Sequence, residues 1–448
     1  MTQPTPQSSQ PELVRAIGRW SMVALAINSI VGSGVFGLPA PVAGFLGRAS
    51  PLAVLLAGVG MGVIVACYAE VASQFAETGG TYLYLRGAFG RLAGVQVAWL
   101  SLLSRTTAIA AGVNLFVTYL AEFWPGATQP MSRLAIITAF VGGLAAVNYR
   151  GVGAGTMVSN VTALAKLAAL ALICIAGVAW LTVHPAVAAT PVTASADSWL
   201  KAMLLLLFAY GGYEAALNPM GEARDPRRDV AFALFVALLI VTVIYSTLQW
   251  VVVALLADPA HSQRPLADAA RVMLGAGGAA LISVGALISV YGYVSANMLT
   301  TPRGIFAPAQ NGDFPPLLGA VHPRWRTPYI SIVLFALLLW GFSQFAGFAW
   351  NVTLSAVTRV VYYAGICAAV PVLRRRQPGA AAYRLPGGLT LPLLGIAICV
   401  VLLTRVDFGK SLILLATVAA ALINWALVRD RDPRTPISSQ HRSEQGHW

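Results

Sequence analysis

Three cations and one carboxylate lie deep inside long apolar runs of this chain, well away from their ends: Arg105, Lys166, Arg359 and Glu214. Charge is costly in a lipid-facing segment, so such groups turn to a partner or a cavity and mark a place where polar matter is handled. Two glycine clusters lie in runs of the same kind. One is Gly32-Ser33-Gly34 with Gly37, inside the stretch 21–45; the other is Gly211-Gly212, inside 199–221. Glycine costs roughly 1 kcal/mol against alanine in a helix interior. A helix interrupted in lipid leaves N–H and C=O groups unpaired, which survives only inside protein or around a cavity. Taken alone, the first cluster could equally be a small-residue face for helix packing. The second cluster, at a corresponding place in a later run, favours two interrupted helices around one polar site.

The elements that must hold these groups are membrane helices. Of 448 residues, 58% are hydrophobic and 10% charged, against about 25% charged in a soluble domain. Mean hydropathy is +0.73. The expected fold class is all-α integral membrane, with room for about 12 transmembrane helices at ~20 residues each. The apolar runs place them near 21–45, 51–75, 92–121, 133–149, 156–182, 199–221, 230–256, 278–303, 328–345, 348–372, 389–404 and 411–428. These runs make one membrane domain over 13–431, between polar tails 1–12 and 432–448 that read as disordered. No secretory leader is expected at the N-terminus. The Pro/Ala-rich connections 183–198 and 257–277 have room for a short surface helix.

The net charge of +13 raises nucleic acid as a partner, but its placement argues against one. With the N-terminus inside, nineteen of the 29 Lys and Arg residues fall in inner segments, seven in outer segments and three within spans. That asymmetry is the positive-inside signal and puts both termini in the cytoplasm. Short loops and an Ala/Arg-rich composition suit a bacterial inner membrane. Cys67, Cys174, Cys367 and Cys399 all lie in apolar runs without metal-ligand spacing. The five histidines lie in loops or tails, and no nucleophile elbow, phosphate loop or HExxH is present. No enzymatic activity, cofactor or metal is therefore expected.

Several motifs carry a family resemblance. Gly32-Ser33-Gly34-Val35-Phe36 with Pro39 resembles the first-span signature of the amino acid–polyamine–organocation (APC) permeases. Tyr68-Ala69-Glu70 and Glu77-Thr78-Gly79-Gly80-Thr81-Tyr82 resemble that family's first cytoplasmic loop. Phe208 to Tyr213, then Gly221-Glu222 and Asp225-Pro226-Arg227-Arg228-Asp229, resemble its sixth span and exit. Asn311-Gly312-Asp313-Phe314-Pro315 and Thr327-Pro328 resemble the eighth-to-ninth loop. The resemblance implies a 5+5 inverted repeat with helices 1 and 6 interrupted, plus two C-terminal helices. Repeat one would cover about 15–183, repeat two about 199–373, and the extra helices about 389–428. It also implies secondary transport of amino acids by alternating access, as symport or exchange, in a monomer or homodimer.

A free amino acid carries a carboxylate and an ammonium on one carbon, and a broken helix offers complements to both. N–H groups of Gly32, Ser33 and Gly34 head the second half-helix and suit the carboxylate. Carbonyls of Ile30, Phe208 and Gly211, with Gly212 beside them, suit the ammonium. The resemblance gives these positions the same roles and makes Phe208 the aromatic gate over the substrate; ordinary packing is the alternative for that ring. In similar permeases a lysine at the place of Lys166 replaces the sodium ion of related transporters. It bridges the first-span break to the eighth span, here through the face of Ser289, Tyr293 and Asn297. An unpaired lysine at that depth could exchange a proton and couple transport to protons, or serve as a fixed tether.

Arg105 and Arg359 resemble two arginines in a heteromeric-transporter light chain that handles cystine and glutamate. The third-span arginine also occurs in light chains with neutral substrates, so Arg359 is the discriminating one. Glu214 is placed to pair with one of the two, which leaves one cation over. Together they would select the substrate side chain, leaning to acidic amino acids. The alternatives are a structural pair, a snorkelling Arg359, a neutral amino-acid or amine exchanger, and a sensor that binds without transporting. Glu70 and Glu222 are expected to pair with loop arginines such as Arg86 or Arg228.

Overall fold

The computed structural model describes residues 18–75, 79–151, 155–188, 191–217 and 223–429, with backbone alone for 155–165. Both expected tails and Glu222 lie outside the described residues. All regular structure among the described residues is helical. The first apolar run is split into α1 (Arg19–Ile30), α2 (Gly34–Gly37) and α3 (Pro39–Leu46). Next come α4 (Ser50–Ala72), α5 (Gly80–Phe89), α6 (Arg91–Leu120), α7 (Pro130–Arg150) and α8 (Gly155–Val183). The chain continues through α9 (Ala196–Tyr210), α10 (Pro226–Leu255), α11 (Pro265–Gln310), α12 (Tyr329–Phe345) and α13 (Phe348–Arg376). It closes with α14 (Thr390–Leu403) and α15 (Phe408–Val428).

Among the described residues, eight helical stretches are long and apolar enough to cross a membrane, and α12 and α14 are shorter apolar helices. This is an integral membrane protein. Helix starts follow local chemistry: Ser195, Asp225 and Asp407 each accept a hydrogen bond from the backbone N–H three residues on, capping α9, α10 and α15. Pro51, Pro130, Pro226 and Pro265 stand in first turns, where their missing N–H is not needed. Connection 257–277 does hold a helical segment, because α11 begins at Pro265 and breaks its dihedrals at Gly275 (φ 68°, ψ −163°). The described part of 183–198 is irregular up to Ala196.

The bundle is built around α6. Of its most apolar segment 83% is buried, against 17% for α7 and α15. It packs against α11, α13, α5, α12 and α15. Lipid gives no hydrophobic drive between helices, so close approach over small residues does the work. Gly285 of α11 faces Ala169 of α8, and Gly58 of α4 faces Thr242 of α10, each too close for a Cβ.

Ion pairs collect at the two ends. At one end Asp313, fully buried, accepts from Arg86 (2.9 Å), Arg91 (2.7 Å) and the Tyr82 hydroxyl. Asn424 of α15 donates to the Asp313 carbonyl at 2.9 Å, which ties the last helix to the loop after α11. Glu70 does not meet Arg86 or Arg228, because Arg86 is held by Asp313 and Arg228 by Asp225. Its partner is Arg374, in the last turn of α13, which donates two hydrogen bonds at 2.6 and 2.7 Å. Arg19 pairs with Asp229 at the same end (3.1 Å). At the opposite end Glu122 meets Arg264 and Arg271.

Asp313→Ala leaves two buried-end arginines facing each other, and breaking such a pair costs about 3–5 kcal/mol. Arg86→Ala keeps the Arg91 contact and should cost much less. Thermal unfolding of the purified variants checks the order, which a larger loss in Arg86→Ala would reverse.

Candidate functional site

The helix α1 ends at Ile30 because Val31 leaves helical geometry (φ −73°, ψ 87°). The chain re-enters a helix at Gly34, and Leu38 donates to the Gly34 carbonyl at 2.9 Å, joining α2 to α3. The N–H groups of Gly32, Ser33 and Gly34 make no hydrogen bond among the described residues. The carbonyls freed by the break are taken by side chains from three other helices. Lys166 Nζ donates to Asn28 O (2.7 Å) and Val31 O (2.6 Å). The Tyr245 hydroxyl donates to Ile30 O (3.3 Å) and the Tyr119 hydroxyl to Phe36 O (3.0 Å). Beyond the break, Gln249 Nε2 also donates to Pro39 O (3.1 Å), in the first turn of α3.

The second break adjoins the first. Gly211 N–H closes α9 on Leu207 O and Phe208 O, at 3.0 and 3.1 Å. Gly212 then takes φ +110°, and a Cβ there would overlap the Ser29 carbonyl oxygen. A Cβ on Gly34 would lie 3.2 Å from Ala209 Cα and 3.3 Å from the Phe208 ring. Glycine at these points is what lets the two interrupted strands of backbone touch. Phe208 is buried over Gly34.

Beside the junction lies a charged cluster. Glu214 is buried and accepts from Gly212 N–H (2.9 Å), Tyr362 OH (3.1 Å) and Tyr363 OH (3.2 Å). Arg359 Nε lies 3.6 Å from Glu214 Oε1 and donates to Ser104 Oγ at 3.2 Å. Its guanidinium carbon sits 5.7 Å from the centre of the Phe208 ring and presses so closely on Gly211 that a Cβ there would overlap Nη1. Among the described residues Arg359 Nη1 has no hydrogen-bond partner, and neither has Ser33 Oγ or Ser289 Oγ. Arg105 acts on Glu214 electrostatically without a direct ion pair among the described residues. Arg105, Asn28, Ser29 and Tyr293 keep partial exposure, whereas Ser33, Gly34, Phe208 and Arg359 are buried.

Ile30, Gly32, Ser33, Gly34, Phe208, Gly211, Gly212, Glu214 and Arg359 are thus brought together. Lys166 bonds to the α1 side of the first break, at Asn28 and Val31. Both of its described hydrogen bonds go to that break, and none among the described residues goes to Ser289, Tyr293 or Asn297. Tyr293 packs its ring against Gly32, and Asn297 turns back to the carbonyl of Tyr293 in its own helix. Sequence reasoning missed Ser104, Tyr245, Tyr362 and Tyr363. The two tyrosines follow Arg359 by three and four residues, a helical spacing that puts them on its side. Nothing in the sequence singled out Tyr245.

A family model described as amino acid permease matches residues 17–426. The chain belongs to the amino acid permease family. The permease is 29% identical over 396 residues to the serine/threonine exchanger SteT of Bacillus subtilis, covering 86% of this chain and 89% of that one. It is 25% identical over 423 residues to the methylthioribose transporter of the same organism, with 88% of each covered. An uncharacterized transporter of Mycobacterium tuberculosis is 28% identical over 366 residues, 80% of each chain. These relatives are transporters and not enzymes, and the permease is a multi-pass membrane protein acting on small molecules.

Gly211→Ala would push a methyl group into the Arg359 guanidinium, and misplacement by ~1 Å in a site can cost about 100-fold. Uptake by Gly211→Ala in proteoliposomes should fall at least about tenfold. Gly341→Ala in α12, where a Cβ meets nothing within 4 Å, should leave uptake unchanged. Full uptake by Gly211→Ala would mean that this contact is not part of the site.

Proposed function

We propose that this permease is a secondary active transporter of free amino acids that works by alternating access. Its twelve spans are the eight long stretches, the short helices α12 and α14, and the two interrupted runs that begin with α1 and α9. They form two inverted repeats of five, with α14 and α15 outside them. Both termini lie in the cytoplasm of a bacterial cell, and the protein sits in the inner membrane. The observation that carries this reading is the meeting of two helix breaks, with N–H groups at Gly32, Ser33 and Gly34 on one side that are unpaired among the described residues. They bind the substrate carboxylate, as helix N-termini bind anions generally. The substrate ammonium takes the second lone pairs of the Ile30 and Phe208 carbonyls and the carbonyl of Gly211. Phe208 covers the bound molecule.

Side-chain choice falls to Arg359, with Glu214 and Arg105 setting its charge. Arg105 and Arg359 against Glu214 leave one positive charge, and Arg359 Nη1 has no hydrogen-bond partner among the described residues. Both features support an acidic amino acid, whose second carboxylate would satisfy Nη1. A second reading, a small neutral substrate, is favoured by the likeness to a serine/threonine exchanger. Thermal-shift titration of the purified permease with glutamate, serine, threonine and leucine separates them. On the acidic reading glutamate gives the largest shift, and Arg359→Ala abolishes it. Equal shifts by leucine and glutamate, unchanged in Arg359→Ala, would remove the acidic reading. Counterflow in proteoliposomes distinguishes a transporter from a sensor, which would bind without exchange.

Lys166 couples this transport to protons. Its ammonium holds the first break by charge-assisted hydrogen bonds, so loss of the proton weakens its grip on Asn28 and Val31. Lys166→Ala should abolish the gain in uptake produced by an inward proton gradient. Gradient-driven uptake at the unmodified rate in that variant would reduce the lysine to a tether.

A further inference from the structure

Outside the junction of the two breaks, α4, α9 and α14 diverge around a groove of about 410 Å3. Its wall is aliphatic side chains, methionine and glycine, including Gly60, Met61, Leu200, Leu207, Leu394 and Val401. A buried water needs two to four polar partners, and these side chains offer none. The groove lies among membrane helices, so its natural filling is a hydrocarbon chain. α14 is 14 residues long, about 21 Å at 1.5 Å per residue, short of a ~30 Å hydrocarbon core.

One mouth of this groove is charged. Lys201 follows the lining residue Leu200, and Arg405 comes one turn after the lining residue Val401. Both engage Asp197, with Lys201 Nζ 2.6 Å from Oδ2 and Arg405 Nη1 3.0 Å from Oδ1. Two cations against one carboxylate leave one positive charge, and their side chains remain 48% and 37% exposed. An accessible cationic mouth over a dry aliphatic trench matches the two parts of an anionic lipid, headgroup and tail.

We infer that the α4–α9–α14 groove binds one acyl chain of an anionic phospholipid whose phosphodiester sits on Lys201 and Arg405. The lipid belongs to the leaflet at the end away from Asp313, which the arginine distribution assigns to the outside. The chain end reaches Leu207, and the next residue, Phe208, stands over Gly34 at the junction of the two breaks. Lipid occupancy therefore bears directly on the helix that carries the site. The assignment does not depend on which solute the permease carries.

The test is native mass spectrometry of the full-length permease released from nanodiscs of equal phosphatidylglycerol and phosphatidylcholine. The expected result is one retained phosphatidylglycerol, favoured over phosphatidylcholine at least about fivefold. The double variant Lys201→Gln, Arg405→Gln, altered only at exposed positions, should bring that preference close to one. Gly60→Phe should lose the retained lipid altogether, since a Cβ at Gly60 meets nothing within 4 Å and the ring enters the groove. An unchanged thermal midpoint certifies that this variant is folded; Gly60→Leu replaces it if it is not. Equal retention of the two lipids by the unmodified protein would overturn the assignment, as would an unchanged preference in the double variant. A dimer mass abolished by Gly60→Phe would overturn it too, by placing a second copy in the groove.

Discussion

Inside a bilayer every backbone N–H and C=O that leaves the helical ladder must find a partner within the protein, and the rest of this structure follows from how the first break meets that demand. Its carbonyls are answered by Lys166 from α8, Tyr245 from α10 and Tyr119 from α6. Each donor is a long side chain from a helix that must stand within one side-chain length of the break. The positions of α6, α8 and α10 are in this sense consequences of the glycines at 32 and 34. The donors of the same break are not answered. Acceptors inside the protein satisfy none of the N–H groups of Gly32, Ser33 and Gly34 among the described residues.

The second break is stabilised by charge. Glu214 binds the N–H of Gly212 and takes two tyrosine hydroxyls and a guanidinium, so a buried anion holds a glycine in a left-handed conformation. Removing one partner of such a cluster leaves an uncompensated buried charge. Arg359 cannot relax away from Gly211 either, since Ser104, Glu214 and the Phe208 ring enclose it. The junction is rigid where the helices touch and under-satisfied where Ser33 and Arg359 face inward.

Much of this was legible in the sequence, for physical reasons that can be named. Lipid forbids loose backbone, so Gly32-Ser33-Gly34 and Gly211-Gly212 stood out against their apolar runs. Charge is rare in such runs, so Arg105, Lys166, Glu214 and Arg359 did too. What stayed hidden was pairing. Glu70 could have met any arginine at its end of the bundle, and only the packing of α4 on α13 selects Arg374 over Arg86. That Lys166 meets the first break was expected from the resemblance, but which carbonyls it takes was hidden, because backbone carbonyls have no signature in a sequence. The helix α5 was missed because it lies in a loop too polar to read as a span.

The way Lys166 grips the first break has a mechanical consequence. Its ammonium carries three donors on a rotatable, tetrahedral head, and two of them hold the carbonyls of Asn28 and Val31 at the end of α1. An arginine there would impose a plane on both acceptors and so fix the orientation of the end of α1 against α8. A lysine imposes distance without direction. The end of α1 stays attached to α8 while the angle between them is free to change. The joint behaves as a ball in a socket, where a guanidinium would have made a bracket.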